Sequence, residues 1–175
     1  MDIRNTIRTG QEKTRDFRQR IGRFSGLLLF FYLCVIIYFV LFSDTLGRTV
    51  GYSDYHYNLT PFQEIQRFIV YREAVSLPIF VLNILGNLLI FAPIGFLLPL
   101  IRMKKTGPIR ILFYAALLSL CIELMQLVTR VGVFDVDDLI LNTMGSLIGY
   151  LIFLFTRPFL RLQFKYLEEK QDASS

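Results

Sequence analysis

The chain has 175 residues, 54% of them apolar, a formal charge of +5 and a mean hydropathy of +0.49. Hydropathy held in four long runs excludes a soluble core and leaves room for one polytopic membrane domain. The basic residues flank the apolar runs instead of forming a module interleaved with aromatics, which excludes nucleic acid and implies membrane lipids as partners.

Residues 1–23 read as a basic cytoplasmic segment, with seven Lys or Arg against three acidic residues. Phe17, Ile21 and Phe24 form a narrow apolar stripe suited to a helix on the membrane surface; a solvated basic flank is the competing reading. Residues 24–42 give an uncleaved first span, longer than a signal-peptide core and followed by no small-x-small site. Cys34 and Cys121 fall in apolar runs and read as small buried hydrophobes rather than a disulfide or metal pair.

Residues 43–76 form a polar, aromatic loop. Within it, Thr60-Pro61-Phe62-Gln63 has a capping hydroxyl, a proline for the first helical position and a glutamine three residues on, which predicts a short helix starting there. Phe62, Ile65 and Ile69 recur at helical spacing while Gln63, Glu64, Gln66 and Arg67 point elsewhere, as in an interfacial or re-entrant helix. Asn58-Leu59-Thr60 matches a glycosylation acceptor, but Pro61 directly after it argues against modification. His56, the single histidine, has no base or metal partner in view and receives no catalytic role.

The second span covers Leu77 to Ile101, a run without a charge and long enough to cross a hydrocarbon core of roughly 30 Å. Asn83 and Asn87 lie four residues apart on one face, and an unpaired amide in hydrocarbon is unfavourable by a few kcal/mol, so both call for polar receivers inside the protein. Pro93 predicts a kink and Gly95 a close backbone approach. Arg102, Lys104 and Lys105 end the span, and Gly107-Pro108 predicts a turn.

A third span runs from Ile111 to Val128, with Glu123 and Gln126 three residues apart. A carboxylate inside a span must face protein or water and is a candidate functional residue. The loop from Thr129 to Asp138 holds Arg130, Asp135, Asp137 and Asp138, and Leu139 to Phe155 gives the fourth span. Asp138 and Asn142 share a face there. Gly145 and Gly149 form a small-xxx-small pair that serves packing within the chain or in a dimer. Residues 158–175 read as a disordered cytoplasmic tail, leaving 24–157 as the membrane domain.

Fifteen of the 19 Lys and Arg residues lie in the N-terminal segment, the 102–110 turn and the C-terminal tail, which places both termini in the cytoplasm. The fold class is therefore an all-α integral membrane protein of four transmembrane helices, with a short interfacial or re-entrant helix in the first outer loop. At 1.5 Å per residue, Glu123, Asn83 and Asn142 lie roughly 5 to 9 Å inside their outer span ends, and Asn87 deeper. These residues, with Gln126, Arg130, Asp135 and Asp138, define a polar pocket open to the outside.

Three blocks of residues resemble the VanZ-like family of membrane proteins. The first is Asn58-Leu59-Thr60-Pro61-Phe62; the second is Asn83, Asn87, Phe91, Pro93, Gly95 and Pro99. The third is Glu123-x-x-Gln126 followed by Arg130, Asp135, Asp138, Asn142, Gly145 and Gly149; Asp137 stands outside the blocks. The resemblance implies a multi-pass protein of the bacterial cytoplasmic membrane and cell envelope, in a family whose namesake is linked to low-level teicoplanin resistance. It implies no settled reaction, because function lives in the site and not in the fold.

Three readings of the pocket remain open. It binds a lipid-linked cell-wall precursor or the lipid-anchored end of a glycopeptide, as apolar walls with a few convergent polar groups suit. Alternatively, it is an enzyme site in which Glu123 is the acid or base, Arg130 holds an anionic group such as phosphate and the aspartates take a divalent cation. In the third reading the polar residues only join helices. No cofactor and no His-rich metal set is called for.

Overall fold

The computed structural model describes residues 3–42, 55–70, 77–102, 106–130 and 132–172. Its elements are α1 (Ile3–Phe42), β1 (Tyr57–Asn58), α2 (Gln63–Val70), α3 (Leu77–Arg102), α4 (Pro108–Thr129), β2 (Phe134–Asp135) and α5 (Val136–Asp172). The helices α1, α3, α4 and α5 are each long and apolar enough to cross a membrane.

Contacts along the helices fix their directions. Gly22 of α1 meets Ile101 of α3, and the Tyr32 hydroxyl donates to the Ile90 carbonyl at 2.7 Å, so α1 and α3 are antiparallel. Leu88 faces Gly145 and Ala92 faces Gly149, so α3 and α5 run the same way. The ends of α1 and α4 and the beginnings of α3 and α5 thus share one end of the bundle. We call it the strand end, because β1 and β2 pair there in parallel, Tyr57 opposite Phe134 and Asn58 opposite Asp135.

The closest approach is between α3 and α5. A Cβ at Gly95 would run into the Ser146 carbonyl, and Cβ atoms at Gly145 and Gly149 would run into the Leu88 and Ala92 carbonyls. Backbone against backbone is how helices gain dispersion energy in a bilayer, where the hydrophobic effect gives no drive between them. The small-xxx-small pair on α5 therefore serves packing within the chain, and its partner is α3. The helix α3 continues through Pro93 and Pro99. Near Pro93 the Ile90 and Phe91 carbonyls accept hydroxyls from Tyr32 and Ser146, the kind of side-chain support that lets a membrane helix carry proline.

The core comprises Leu29, Ile36, Phe91, Ile94, Leu97, Leu100, Ile111, Ala115, Ile122, Tyr150 and Phe153. Large apolar side chains such as Phe30, Phe31, Leu82, Leu89, Phe113 and Phe155 are exposed, as a lipid-facing surface requires. Cys34 and Cys121 are free and exposed on this surface, not buried as their apolar surroundings suggest. In a membrane protein the apolar runs face lipid as well as core, so local hydropathy does not distinguish the two.

Four boundaries differ from the sequence reading. The basic segment and the first span are one helix, α1, in which Ile21 packs against the core while Phe17 and Phe24 are exposed. The expected turn at Gly107-Pro108 is the start of α4, with Gly107 at the N-cap and Pro108 in the first helical turn, where its missing N–H is harmless. The helix α5 starts at Val136, three residues before the expected span, because the Asp135 carboxylate caps it: Oδ1 accepts the Asp137 N–H at 2.8 Å. It also continues through Pro158 to Asp172 where a disordered tail was expected, since Leu, Arg, Gln, Lys and Glu dominate that stretch and favour helix.

Candidate functional site

The strand end is held by a chain of hydrogen bonds that starts inside the bundle. Glu123 is buried in α4, and its Oε2 accepts the backbone N–H of Asp135 at 3.0 Å. Asp135 accepts the Asn58 side-chain amide on both carboxylate oxygens, at 3.1 and 3.2 Å, besides capping α5. Asn58 Oδ1 takes the Thr60 N–H at 3.1 Å, turning the chain toward α2. The last link is Asp137, whose Oδ1 accepts the Phe62 N–H at 2.5 Å.

That last bond explains where α2 begins. Phe62 has a positive φ of 63°, a left-handed conformation, and its carbonyl accepts the first helical bond, from Gln66 N–H at 3.0 Å. The helix therefore starts at Gln63, two residues later than the capping-box pattern predicts, and the Asp137 carboxylate meets the Phe62 N–H. Phe62, Ile69 and Val70 are exposed. His56 contributes its backbone carbonyl, which accepts the Phe134 N–H at 3.1 Å, and its side chain is exposed.

Beneath this network, between all four long helices, lies a cavity of about 250 Å³. Asn87 of α3, Glu123 and Gln126 of α4, and Asp138 and Asn142 of α5 supply its polar side. Tyr32, Val35, Ile36 and Phe39 of α1, with Ile90 and Phe91 of α3 and Ile122 of α4, complete the lining, apolar except for the tyrosine hydroxyl, which is turned to Ile90. Across the polar side Asn87 Nδ2 donates to Asp138 Oδ1. Asn142 Nδ2 donates to Ser119 Oγ at 2.9 Å, and Asn142 Oδ1 is buried without a hydrogen-bond partner.

Of the eight residues singled out from sequence, five meet in this cavity: Asn87, Glu123, Gln126, Asp138 and Asn142. Asp135 sits just above it as the hub of the strand-end network. Asn83 is exposed and outside the lining. Arg130 also lies outside: it ends α4 in the left-handed conformation, φ 56°, with its guanidinium carbon 4.7 Å from the centre of the Tyr55 ring. Among the described residues no group of three or more His, Cys, Asp or Glu is placed to hold a metal ion.

Sequence reasoning missed Ser119, Ser146, Tyr32 and the role of Asp137. Ser119 and Ser146 are fully buried, and serine in an apolar run carries no mark of which helix its hydroxyl will meet. The signal available for Asp137 was its position in the first turn of α5, where an acidic residue is favoured by the helix dipole.

Four helices long and apolar enough to span, with a partly polar cavity between them, define a polytopic membrane protein. The VanZ/LLP1 family model matches residues 29–157, and the chain belongs to that family. Protein VanZ of Enterococcus faecium is 32% identical over 124 residues, covering 70% of this chain and 68% of the relative. No solved structure matches.

Proposed function

We propose that this protein binds a lipid-linked envelope molecule, or the lipid-bearing end of a glycopeptide of the teicoplanin type, in its intramembrane cavity, and so lowers susceptibility to such antibiotics. The observation that carries this reading is the cavity's mixed lining: five polar side chains from α3, α4 and α5 beside aromatic and aliphatic ones from α1, α3 and α4. An amphiphile matches both kinds at once. The Lys and Arg asymmetry supports an outward-facing strand end in the cytoplasmic membrane. Size supports a partial ligand: about 250 Å³ exceeds the roughly 150 Å³ of a cavity that takes benzene but falls short of the roughly 300–1,000 Å³ of drug-sized sites. A head group with its first methylenes fits; a whole glycopeptide does not.

The test is expression in a susceptible Gram-positive host, with teicoplanin and vancomycin susceptibility measured beside membrane abundance. A raised teicoplanin inhibitory concentration that disappears in Glu123→Gln at equal abundance supports binding. No change with the intact chain removes the resistance reading, and a silent Glu123→Gln favours a purely structural role for the polar residues.

A further inference from the structure

The end of the bundle opposite the strands carries arginines on three of its long helices at one level. Gly22 of α1 lies against the Ile101 carbonyl of α3, which sets Arg23, the next residue of α1, beside the end of α3. Along α3 and α5 the pairs Leu88 and Gly145, Ala92 and Gly149, and Phe96 and Phe153 keep one register. The same register brings Ile101 level with Pro158, between Arg157 and Arg161 of α5. The Tyr150 hydroxyl donates to the Thr106 carbonyl at 3.0 Å and holds the start of α4, with Arg110 in its first turn, at this end. The helix α3 itself ends in Arg102, and Lys104 and Lys105 follow in the chain.

Each of these arginines has an exposed apolar neighbour in sequence: Phe24 beside Arg23, Ile109 beside Arg110, and Phe159 between Arg157 and Arg161, at 68%, 81% and 64% exposed. Such side chains favour lipid, so the guanidiniums next to them reach the level of the head groups. The sequence has no acidic residue from 17 to 43, from 75 to 122 or from 139 to 167. The nearest carboxyl groups beyond them on α1 and α5, Asp16 and Glu168, lie about two turns from Arg23 and Arg161. Arg23 gives one bond to Gln19 Oε1 at 3.4 Å, which leaves most of its five N–H donors for another acceptor.

We propose that this end of the bundle is a binding surface for anionic phospholipids, whose phosphates are held by Arg23, Arg110, Arg157 and Arg161 while their acyl chains lie against Phe24, Ile109 and Phe159. An arginine fork meets a phosphate through two parallel bonds, and clusters of basic residues at the ends of membrane helices attract anionic head groups. The arginines of three helices reach one level only in the assembled bundle, so the lipids bind the folded chain more tightly than separated helices and stabilise it. The inference is independent of the cavity's ligand and of which leaflet this end meets.

The experiment uses the full chain in neutral maltoside micelles and follows the thermal unfolding midpoint as phosphatidylglycerol, phosphatidylcholine or inorganic phosphate is added. Phosphatidylglycerol is expected to raise the midpoint saturably by several degrees, and the other two at equal concentration to leave it unchanged. Arg23→Gln, Arg110→Gln and Arg157→Gln combined are expected to weaken the apparent affinity for phosphatidylglycerol at least about tenfold. Arg67→Gln with Arg130→Gln, which removes charge at the strand end, is expected to leave it as in the intact chain. If the triple glutamine variant fails to fold, lysine at the same three positions takes its place: it retains the charge and is expected to bind several times more weakly, because it lacks the planar fork. Unchanged affinity in the triple variant that folds overturns the assignment to these arginines. Equal loss in the strand-end pair means that net charge and not this surface attracts the lipid, and overturns it too. Equal action of phosphatidylcholine removes the anionic preference, equal action of inorganic phosphate removes the lipid, and no shift with phosphatidylglycerol overturns the inference outright.

Discussion

The Glu123 carboxylate, buried in the last third of α4, accepts the backbone N–H of Asp135 at 3.0 Å and so ties that helix to the residue that caps α5. The side chain that sequence marks as a candidate acid or base is thus also a structural acceptor. Glu123→Gln retains an acceptor oxygen and is expected to change stability by less than about 1 kcal/mol, whereas Glu123→Leu leaves a buried N–H unpaired and is expected to lose about 1–3 kcal/mol. Unfolding of purified protein in detergent distinguishes them. Equal damage from both would mean that the charge, and not the acceptor, holds the strand end together.

Asn58 and Asp135 are 77 residues apart in sequence and joined by two hydrogen bonds. Their coupling is expected to appear in a double-mutant cycle: Asn58→Ala and Asp135→Ala together should lose less than the sum of the single losses, by about 1.5–3 kcal/mol for bonds to a charged group. Strict additivity would show that the pair contributes nothing to holding the loops.

The glycines of α3 and α5 separate into two kinds. Gly149→Ala places a methyl group against the Ala92 carbonyl and is expected to destabilise by about 1–3 kcal/mol through overpacking. Gly86→Ala, immediately before Asn87 on α3, meets nothing within 4 Å and is expected to be neutral or to stabilise by up to about 1 kcal/mol. A tolerated Gly149→Ala would mean that α3 and α5 can separate slightly without loss.

Four spans, their approximate limits and five of the cavity's polar residues were legible in the sequence, because polar residues stand out against long apolar runs. What could not be read was set by contacts between distant segments. The pairing of Tyr57-Asn58 with Phe134-Asp135 depends on two loops meeting, and a two-residue strand has no periodicity to read. Phe62 takes a left-handed conformation with its N–H bonded to Asp137, 75 residues away, which the local capping pattern does not encode. Asn83 and Asn87 look equivalent at helical spacing, yet only Asn87 meets a neighbouring helix; which turn of α3 reaches α5 is decided by Gly145 and Gly149.

Orientation rests on charge asymmetry and is directly measurable. In a background with Cys34 and Cys121 replaced by serine, Val133→Cys at the strand end is expected to react with a membrane-impermeant maleimide on intact cells. Gly107→Cys, in the opposite turn, is expected to react only after the cells are opened. Both positions are exposed. The reverse pattern would place the cavity's strand end in the cytoplasm and remove the envelope reading.

Arg130 gives the sharpest contrast between a cavity that holds the ligand alone and a site assembled around a cationic clamp. Its guanidinium lies over Tyr55, outside the cavity, and its backbone closes α4 in a left-handed turn with its N–H on the Leu127 carbonyl at 3.2 Å. A cation over an aromatic ring at an exposed site contributes about 0.5–1 kcal/mol, and lysine retains most of it. Arg130→Lys is therefore expected to leave stability within about 1 kcal/mol and teicoplanin susceptibility unchanged. Arg130→Gly relieves the left-handed strain, by up to about 1 kcal/mol, while losing the stacking, so its net effect is expected to be near zero. A clamp for phosphate behaves otherwise, because lysine lacks the planar fork that binds such a group through two bonds. Loss of resistance in Arg130→Lys at normal abundance, beside a silent Glu123→Gln, would move the functional site from the cavity to the loop that carries Arg130.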